Sequence, residues 1–291
     1  MFRVTHLPSS IRPSTCFLSL INSRLMSVVS SSFVKTFGYL IVNLGFSSKV
    51  SKYTTHELSM KKALSSDAVI PSEEFFNQVG IQYEEAFGHN AGLQRIVQHF
   101  LKLLPGDAQV LDCGCGTGKP VAEMIAQSGR VVNDIDLSQT MVELSSKQVP
   151  TGSFTRANML HYTPADHPTG VIAMLSLFAL TRQEISLMAH KWFQWLQPNG
   201  YLLIGVIGAE DCETAPEMYD SDGQCATGVP FTFMNHKVSV TLFTKAGWNA
   251  LLKQAGFEII HTETDIYTPP PATVCDDEPH YFVIARKSSS I

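Results

Sequence analysis

The 291 residues carry a formal net charge of −5, with 44% hydrophobic and 16% charged side chains. That composition excludes disorder of the whole chain, and the acidic balance excludes an electrostatic footprint for nucleic acid over the main body; a small-molecule substrate is expected instead. None of the spacings among Cys16, Cys113, Cys115, Cys212, Cys225 and Cys275 makes a CxxC pair or a tetrahedral ligand set, so no metal site and no disulfide is expected, and the thiols suit a reducing compartment.

Residues 1–56 contain no Asp or Glu, while Arg3, Arg12, Arg24, Lys35, Lys49 and Lys52 are scattered through a serine-rich background. We read 1–59 as a basic leader outside the chemistry and 60–291 as the domain. The leader's composition suits a mitochondrial presequence, a disordered tail, or translated sequence ahead of a start at Met60; without targeting, the location is cytoplasmic. The apolar stretch from Phe37 to Phe46 is too short to span a bilayer and is interrupted by Asn43, so no membrane span is expected.

The spacing predicts one helix over Ser72–Phe87, bearing Phe75, Phe76, Tyr83 and Phe87. A second helix places Leu93, Ile96, Val97, Phe100, Leu101 and Leu104 on one face. Pro105-Gly106 stops it, and Gln109–Asp112 follows as a short buried strand. Strands are then expected at Val131–Ile135, Phe154–Ala157, Val171–Leu175 and Tyr201–Ile207, with a helix over Gln139–Lys147. Thr181 and Glu184 form a capping box ahead of another helix, and Thr244 caps the last one, which Gly256 closes. Phe257–Ile260 and Tyr281–Ala285 complete the sheet. Alternation of this kind implies an α/β fold with a parallel sheet covered on both faces.

The chemistry concentrates at Val110-Leu111-Asp112-Cys113-Gly114-Cys115-Gly116-Thr117-Gly118, a strand running directly into glycines, with Pro120 in the first turn of the next helix. Glycines there let the backbone turn sharply and approach a ligand. A dinucleotide loop wants its third glycine three positions after the second, whereas here Gly118 follows Gly116 by two, which opposes a nicotinamide cofactor. The second strand ends in Asp136, twenty-two positions after Gly114, and its carboxylate can take both hydroxyls of a ribose. Its alternative role is a helix cap, for which Ser138 competes. Asp134 is expected to point to the opposite side and to stay out of the site.

The segments VLDCGCGTGKP, VVNDIDLSQTMVELS, FTRANML and WLQPNGYLLIG, in this order, resemble the successive motifs of class I S-adenosylmethionine (SAM)-dependent methyltransferases over about 71–287. The likeness is greatest to small-molecule methyltransferases of microbial and fungal natural-product pathways. It implies a Rossmann-like, doubly wound, seven-stranded sheet whose last strand is antiparallel, and SAM as cofactor. It places the methionine end of SAM at Asp112, Gly114, Cys115, Gly116 and Gly118, the ribose at Asp136 with Leu137, and the adenine at Asn158 with Met159. The family usually carries Asp where this chain has Asn158. An amide oxygen still accepts from an adenine amino group, so weakened binding is expected. Tyr83 and Phe87 are candidates to close over the cofactor, and Phe178 to line the acceptor pocket.

An acceptor hydroxyl must lose its proton, and the candidates for the base are His89, His236, Glu217 and Asp220. Leu175-Ser176-Leu177-Phe178 after the fourth strand is not the Asn/Asp-Pro-Pro-aromatic signature of enzymes that methylate nucleic-acid amino groups. A small organic acceptor, with a hydroxyl oxygen first among its atoms, is expected; the alternative is a SAM-binding protein of the same fold acting as a non-methylating catalyst or regulatory partner.

Overall fold

A computed structural model describes residues 71–288, and the 1–59 leader lies outside them. Nine strands and seven α-helices follow in order: α1 (Ser72–Val79), α2 (Gln82–Phe87), α3 (Ala91–Leu103), β1 (Gln109–Asp112), α4 (Val121–Gln127), β2 (Val131–Asp136), α5 (Gln139–Gln148), β3 (Ser153–Arg156), β4 (Gly170–Met174), α6 (Arg182–Trp195), β5 (Tyr201–Ile207), β6 (Cys225–Phe233), β7 (His236–Phe243), α7 (Lys245–Gln254), β8 (Phe257–Tyr267) and β9 (Glu278–Lys287). Seven strands form one sheet in the order β3-β2-β1-β4-β5-β9-β8. The first five are mutually parallel, and β9 runs antiparallel to both β5 and β8.

Side-chain alternation along the strands divides the core between the two faces of the sheet. Leu111, Val171, Leu202 and Ile204 pack on one face against Trp192 of α6 and Trp248 and Leu252 of α7. Val110, Ile172, Leu203, Phe282 and Ile284 pack on the other against Ile96 and Phe100 of α3 and Ile125 of α4. The sheet therefore has helices on both faces, as the strand and helix alternation requires.

The helices begin where their caps direct. The Asn90 side chain accepts from the Leu93 N–H, the Thr181–Glu184 capping box forms in full, and Thr244 accepts from the Gly247 N–H.

Two expectations from the sequence change, and one element is added. The helix read over Ser72–Phe87 is two helices, because Gly80 adopts φ +49° and ψ −127° and breaks the backbone ladder between them. The last two strands are longer than their apolar centres: β8 runs to Tyr267 and β9 starts at Glu278, since their outer ends alternate polar and apolar residues. The insertion after β5 contains an antiparallel hairpin, β6–β7, which turns at Met234 and Asn235, both in the left-handed region.

β1 sits mid-sheet between β2 and β4, each pairing with it in parallel. The chain runs outward one way from β1 through β2 to β3, and the other way from β4 to β5. The crevice beyond the carboxyl ends of β1 and β4 is the topological switch point, the place where such sheets bind ligands.

Candidate active site

The loop after β1 is held in a conformation that its glycines permit. Gly114, Gly116 and Gly118 have φ of +93°, +55° and +85°. A Cβ on Gly114 would lie 2.4 Å from the Ser176 Cβ, an overlap that no rotation relieves. A Cβ on Gly116 would sit 3.5 Å from the Tyr83 ring, in ordinary contact, so Tyr83 of α2 lies directly over the loop. Cys113 and Cys115 are buried, as small apolar side chains flanking Gly114.

Asp136 is tied to that loop. Its Oδ2 accepts from the Gly116 N–H at 3.0 Å and its Oδ1 from the Ser138 N–H at 2.8 Å. Ser138 itself caps α5 by accepting from the Met141 N–H, so the cap role falls to the serine and leaves the carboxylate facing the glycines. Burial raises the pKa of Asp136, and the backbone N–H groups oppose the rise.

Asp134 departs from expectation. Two residues before Asp136 on the same strand, it shares that side by the two-residue strand repeat, and it is buried, accepting the Asp112 N–H at 3.0 Å. Burial, with Asp136 nearby, holds the Asp112 carboxyl well above the ordinary carboxylate range; burial and Asp112 do the same to Asp134. Asp112 Oδ1, Asp134 Oδ2 and Thr117 Oγ1 are buried without a hydrogen-bond partner. Buried acceptors of this kind are costly unless a ligand donates to them.

Asn158 and Met159 lie just past β3. The Asn158 Oδ1 accepts from the Leu160 N–H at 2.9 Å, which leaves one lone pair for a second donor. Leu137, next to Asp136, is exposed.

Aromatic side chains close the mouth from two directions. Phe233, at the end of β6, stacks on Phe87 with ring centroids 5.4 Å apart and contacts Phe75 at 5.8 Å and Tyr83 at 6.5 Å. Tyr267 of β8 packs on Phe87 and donates its hydroxyl to the Ala86 carbonyl. Burial foremost, then Glu278, Asp136 and Asp112, push the Tyr83 phenol up. Phe178 packs beneath the hairpin with Ile207, Val229 and Leu242.

The sequence-derived base candidates do not converge on this point. His89 is exposed on the link before α3, and Glu217 is exposed on the turn Pro216–Met218. Asp220 pairs with Arg182 at 2.7 Å. The exposed His236 at the hairpin turn bonds through Nδ1 to the Met234 carbonyl and packs its ring against Phe75. It lines a 370 Å³ cavity with Val79, Gln82 and Met234, between α1–α2 and the hairpin.

A polar group that the sequence reading missed lies on β9. Glu278 and His280 are buried, bonded at 2.7 Å, and His280 is bonded in turn to Asn90 at 3.2 Å. The signal available was the two-residue spacing of Glu and His ahead of an apolar strand, which reads equally as loop until β9 is seen to begin at Glu278. Among the described residues, no group of three or more His, Cys, Asp or Glu is placed to hold a metal, and no helix is long and apolar enough to cross a membrane.

The methyltransferase domain family profile matches residues 85–262, more than half of the chain. The chain belongs to the methyltransferase domain family. A curated relative of this methyltransferase, trans-aconitate 2-methyltransferase of Delftia acidovorans, is 33% identical over 100 residues, covering 33% of this chain and 36% of that enzyme. The match thus spans little more than a third of the curated relative. Among solved structures, a SAM-dependent methyltransferase of Methanosarcina mazei superposes with a TM-score of 0.54 at 18% identity, covering 67% of this chain and 98% of that one. The 1,6-didemethyltoxoflavin-N1-methyltransferase of Burkholderia thailandensis, solved with 1,6-didemethyltoxoflavin and S-adenosylhomocysteine, superposes with a TM-score of 0.53 at 17% identity over 77% of this chain and 93% of that one. At these identities the structural likeness is one of fold, and the fold is the seven-stranded methyltransferase sheet with its antiparallel strand.

SAM is the cofactor of this methyltransferase family, and the donor set fits it. Its ammonium would supply Asp112 Oδ1 with the donor and counter-charge that buried atom lacks. Gly114 and Gly116 hold the positive φ of the turn and leave room for Ser176 and Tyr83 beside it.

Proposed function

We propose that this methyltransferase transfers the methyl group of SAM to a hydroxyl oxygen of a small, largely apolar organic molecule of the secondary-metabolite type. When bound, SAM supplies an electrophilic methyl carbon on a sulfonium. The chain's own residues align that carbon with an acceptor and exclude water.

In this reading Gly114, Cys115, Gly116 and Gly118 present backbone to the methionine end, and Asp112 takes the ammonium. The Asp136 carboxylate, already steadied by the Gly116 and Ser138 N–H groups, accepts from the ribose hydroxyls with its remaining lone pairs. Asn158, Met159 and Leu137 border the adenine. Tyr83 lies over Gly116 and separates this pocket from the acceptor side.

The observation that carries the acceptor class is the make-up of the mouth. Phe75, Tyr83, Phe87, Phe233 and Tyr267 meet there with the acids Asp136 and Glu278, and no Lys or Arg is among them. Aromatic walls bury flat apolar surface, and carboxylates beside them disfavour a polyanion. A tricarboxylate of the kind named for the Delftia relative is therefore disfavoured, and a neutral hydroxylated molecule is favoured.

The test is to incubate the purified protein with SAM and either phenolic or polycarboxylic acceptors, following S-adenosylhomocysteine and the methylated product. Methyl ethers from phenolic acceptors support the reading. Exclusive methyl esters from tricarboxylates would overturn it.

A further inference from the structure

We propose that Glu278 is the group that takes the proton from the acceptor hydroxyl, and that His280 and Asn90 hold its carboxylate in position. This rests on the hydroxyl-acceptor reading above.

The topology brings Glu278 to the site. In the antiparallel β5–β9 pairing, Ile207 at the carboxyl end of β5 stands opposite His280, so the start of β9 lies at the edge of the sheet where β1 and β2 also end. Glu278 pairs with Tyr267 of β8, whose ring packs on Phe87. Glu278, His280 and Phe282 share one face by the two-residue repeat, and Phe282 belongs to the core beneath α3.

The hydrogen bonds specify which atom is available. Asn90 Oδ1 accepts from the Leu93 N–H as the cap of α3, so its amide can only donate to His280 Nδ1 at 3.2 Å. That fixes the proton of the neutral ring on Nε2, which donates to Glu278 Oε2 at 2.7 Å. Tyr267 stacks on the imidazole, ring centroids 6.2 Å apart, and prevents it from swinging away. The Glu278 side chain is 5% exposed, yet its other oxygen takes no hydrogen bond from the described residues. A buried carboxylate with one oxygen clamped and the other free is arranged to accept one more donor.

The titratable groups facing Glu278 are His280 from its own strand, Tyr83 from α2, Tyr267 from β8 and Cys212 from the segment after β5. No lysine or arginine is among them. Tyr83 links the two halves of the site, since it lies over Gly116 and also feels the charge of Glu278 more than that of Asp136.

The step balances without a further reactant. The O–H proton passes to the free oxygen of Glu278, and the acceptor oxygen forms its bond to the methyl carbon. The electron pair of the breaking carbon–sulfur bond stays on sulfur, cancelling its positive charge, and Glu278 later returns its proton to solvent.

The experiment compares wild type with Glu278→Gln and His280→Gln on two phenols, one of ordinary acidity and one already ionised at the assay pH. Glu278→Gln is expected to lower kcat on the ordinary phenol by about 10²- to 10⁴-fold and to remove the rise of rate with pH on its acidic limb, while SAM affinity by calorimetry stays within about threefold. On the ionised phenol the loss should be within about tenfold, because no proton has to move. His280→Gln should lower kcat less and displace the acidic limb, with KM for SAM unchanged, as a positioning residue would.

A Glu278→Gln protein with wild-type kcat on the ordinary phenol overturns the proposal and leaves the hydroxyl reading intact. A wild type that makes no methyl ether from any hydroxyl acceptor overturns both. If the variants do not fold, the wild type still decides: a rate on the ordinary phenol that is flat with pH, like that on the ionised one, overturns the assignment.

Discussion

The Asp136 carboxylate accepts the Gly116 N–H at 3.0 Å, which makes the acid closing β2 and the loop closing β1 a single preorganised unit. Neither strand could place its ligating group alone, because the loop conformation depends on the acid and the acid's orientation depends on the loop. Asp136→Ala is expected to weaken SAM binding by about 10- to 100-fold, the loss of a hydrogen-bonded charge plus a loosened loop, and Asp136→Asn by less. Calorimetry with S-adenosylhomocysteine checks both, with far-ultraviolet circular dichroism showing the sheet intact.

The glycines of the loop should respond unequally. Gly114→Ala drives a Cβ to 2.4 Å from the Ser176 Cβ at φ +93°, whereas Gly116→Ala meets Tyr83 at 3.5 Å at φ +55°, within the left-handed basin. We expect about 3 kcal/mol of destabilisation for the first and about 1 kcal/mol for the second. Adding Ser176→Gly to Gly114→Ala should recover part of the loss in denaturant melts. Equal effects of the two single substitutions would show that the overlap with Ser176 is not what excludes a side chain.

Asp112 couples stability to pH. Burial and Asp136 raise its folded pKa, so above the ordinary carboxylate range of about 4 the folded state holds a proton that the unfolded state has released. Stability of the ligand-free protein therefore falls as pH rises toward neutrality and beyond. Asp112→Asn should flatten that slope and raise Tm at alkaline pH, while weakening SAM binding. In the wild type, binding near neutral pH should release protons, seen as a dependence of the calorimetric enthalpy on buffer ionisation; its persistence in Asp112→Asn would exclude this residue as the source.

Phe233 fastens the hairpin to the leading helices. Phe233→Ala removes its contacts with Phe75, Tyr83 and Phe87 and should speed hydrogen exchange across α1 and α2. The expected kinetic effect is a rise of about tenfold in KM for the acceptor, with SAM affinity changed by much less. A drop in SAM affinity as large as the rise in KM would place Phe233 against the cofactor instead.

The glycine turn and the acid closing β2 are legible in the sequence because the residues that build each are contiguous. A strand, a glycine turn and a strand-end acid state a local backbone conformation, and the identities of Gly114, Gly116 and Asp136 carry it directly. The same holds for Ser138, Thr181 and Thr244, whose short polar side chains satisfy N–H groups three residues on. Asp134 shares the side of Asp136, as the strand's two-residue repeat requires and against the expectation that it faces away. The split between α1 and α2 is not legible because one glycine within an apolar helical pattern reads as tolerated until its φ is known.

The acceptor half had no such local code. His280, which holds Glu278, and Asn90 are 190 positions apart and meet only because β9 inserts between β5 and β8 while α3 packs over that end of the sheet. His89, His236, Glu217 and Asp220 had the right chemistry, but exposure, a turn contact or an arginine claims each of them. Sequence alone determined the order of the sheet strands and the glycine turn with its strand-end acid, since both follow from periodicity and backbone chemistry within short segments. Only the tertiary structure decided which carboxylate is buried with one oxygen free, because burial and hydrogen-bond occupancy are set by neighbours distant along the chain.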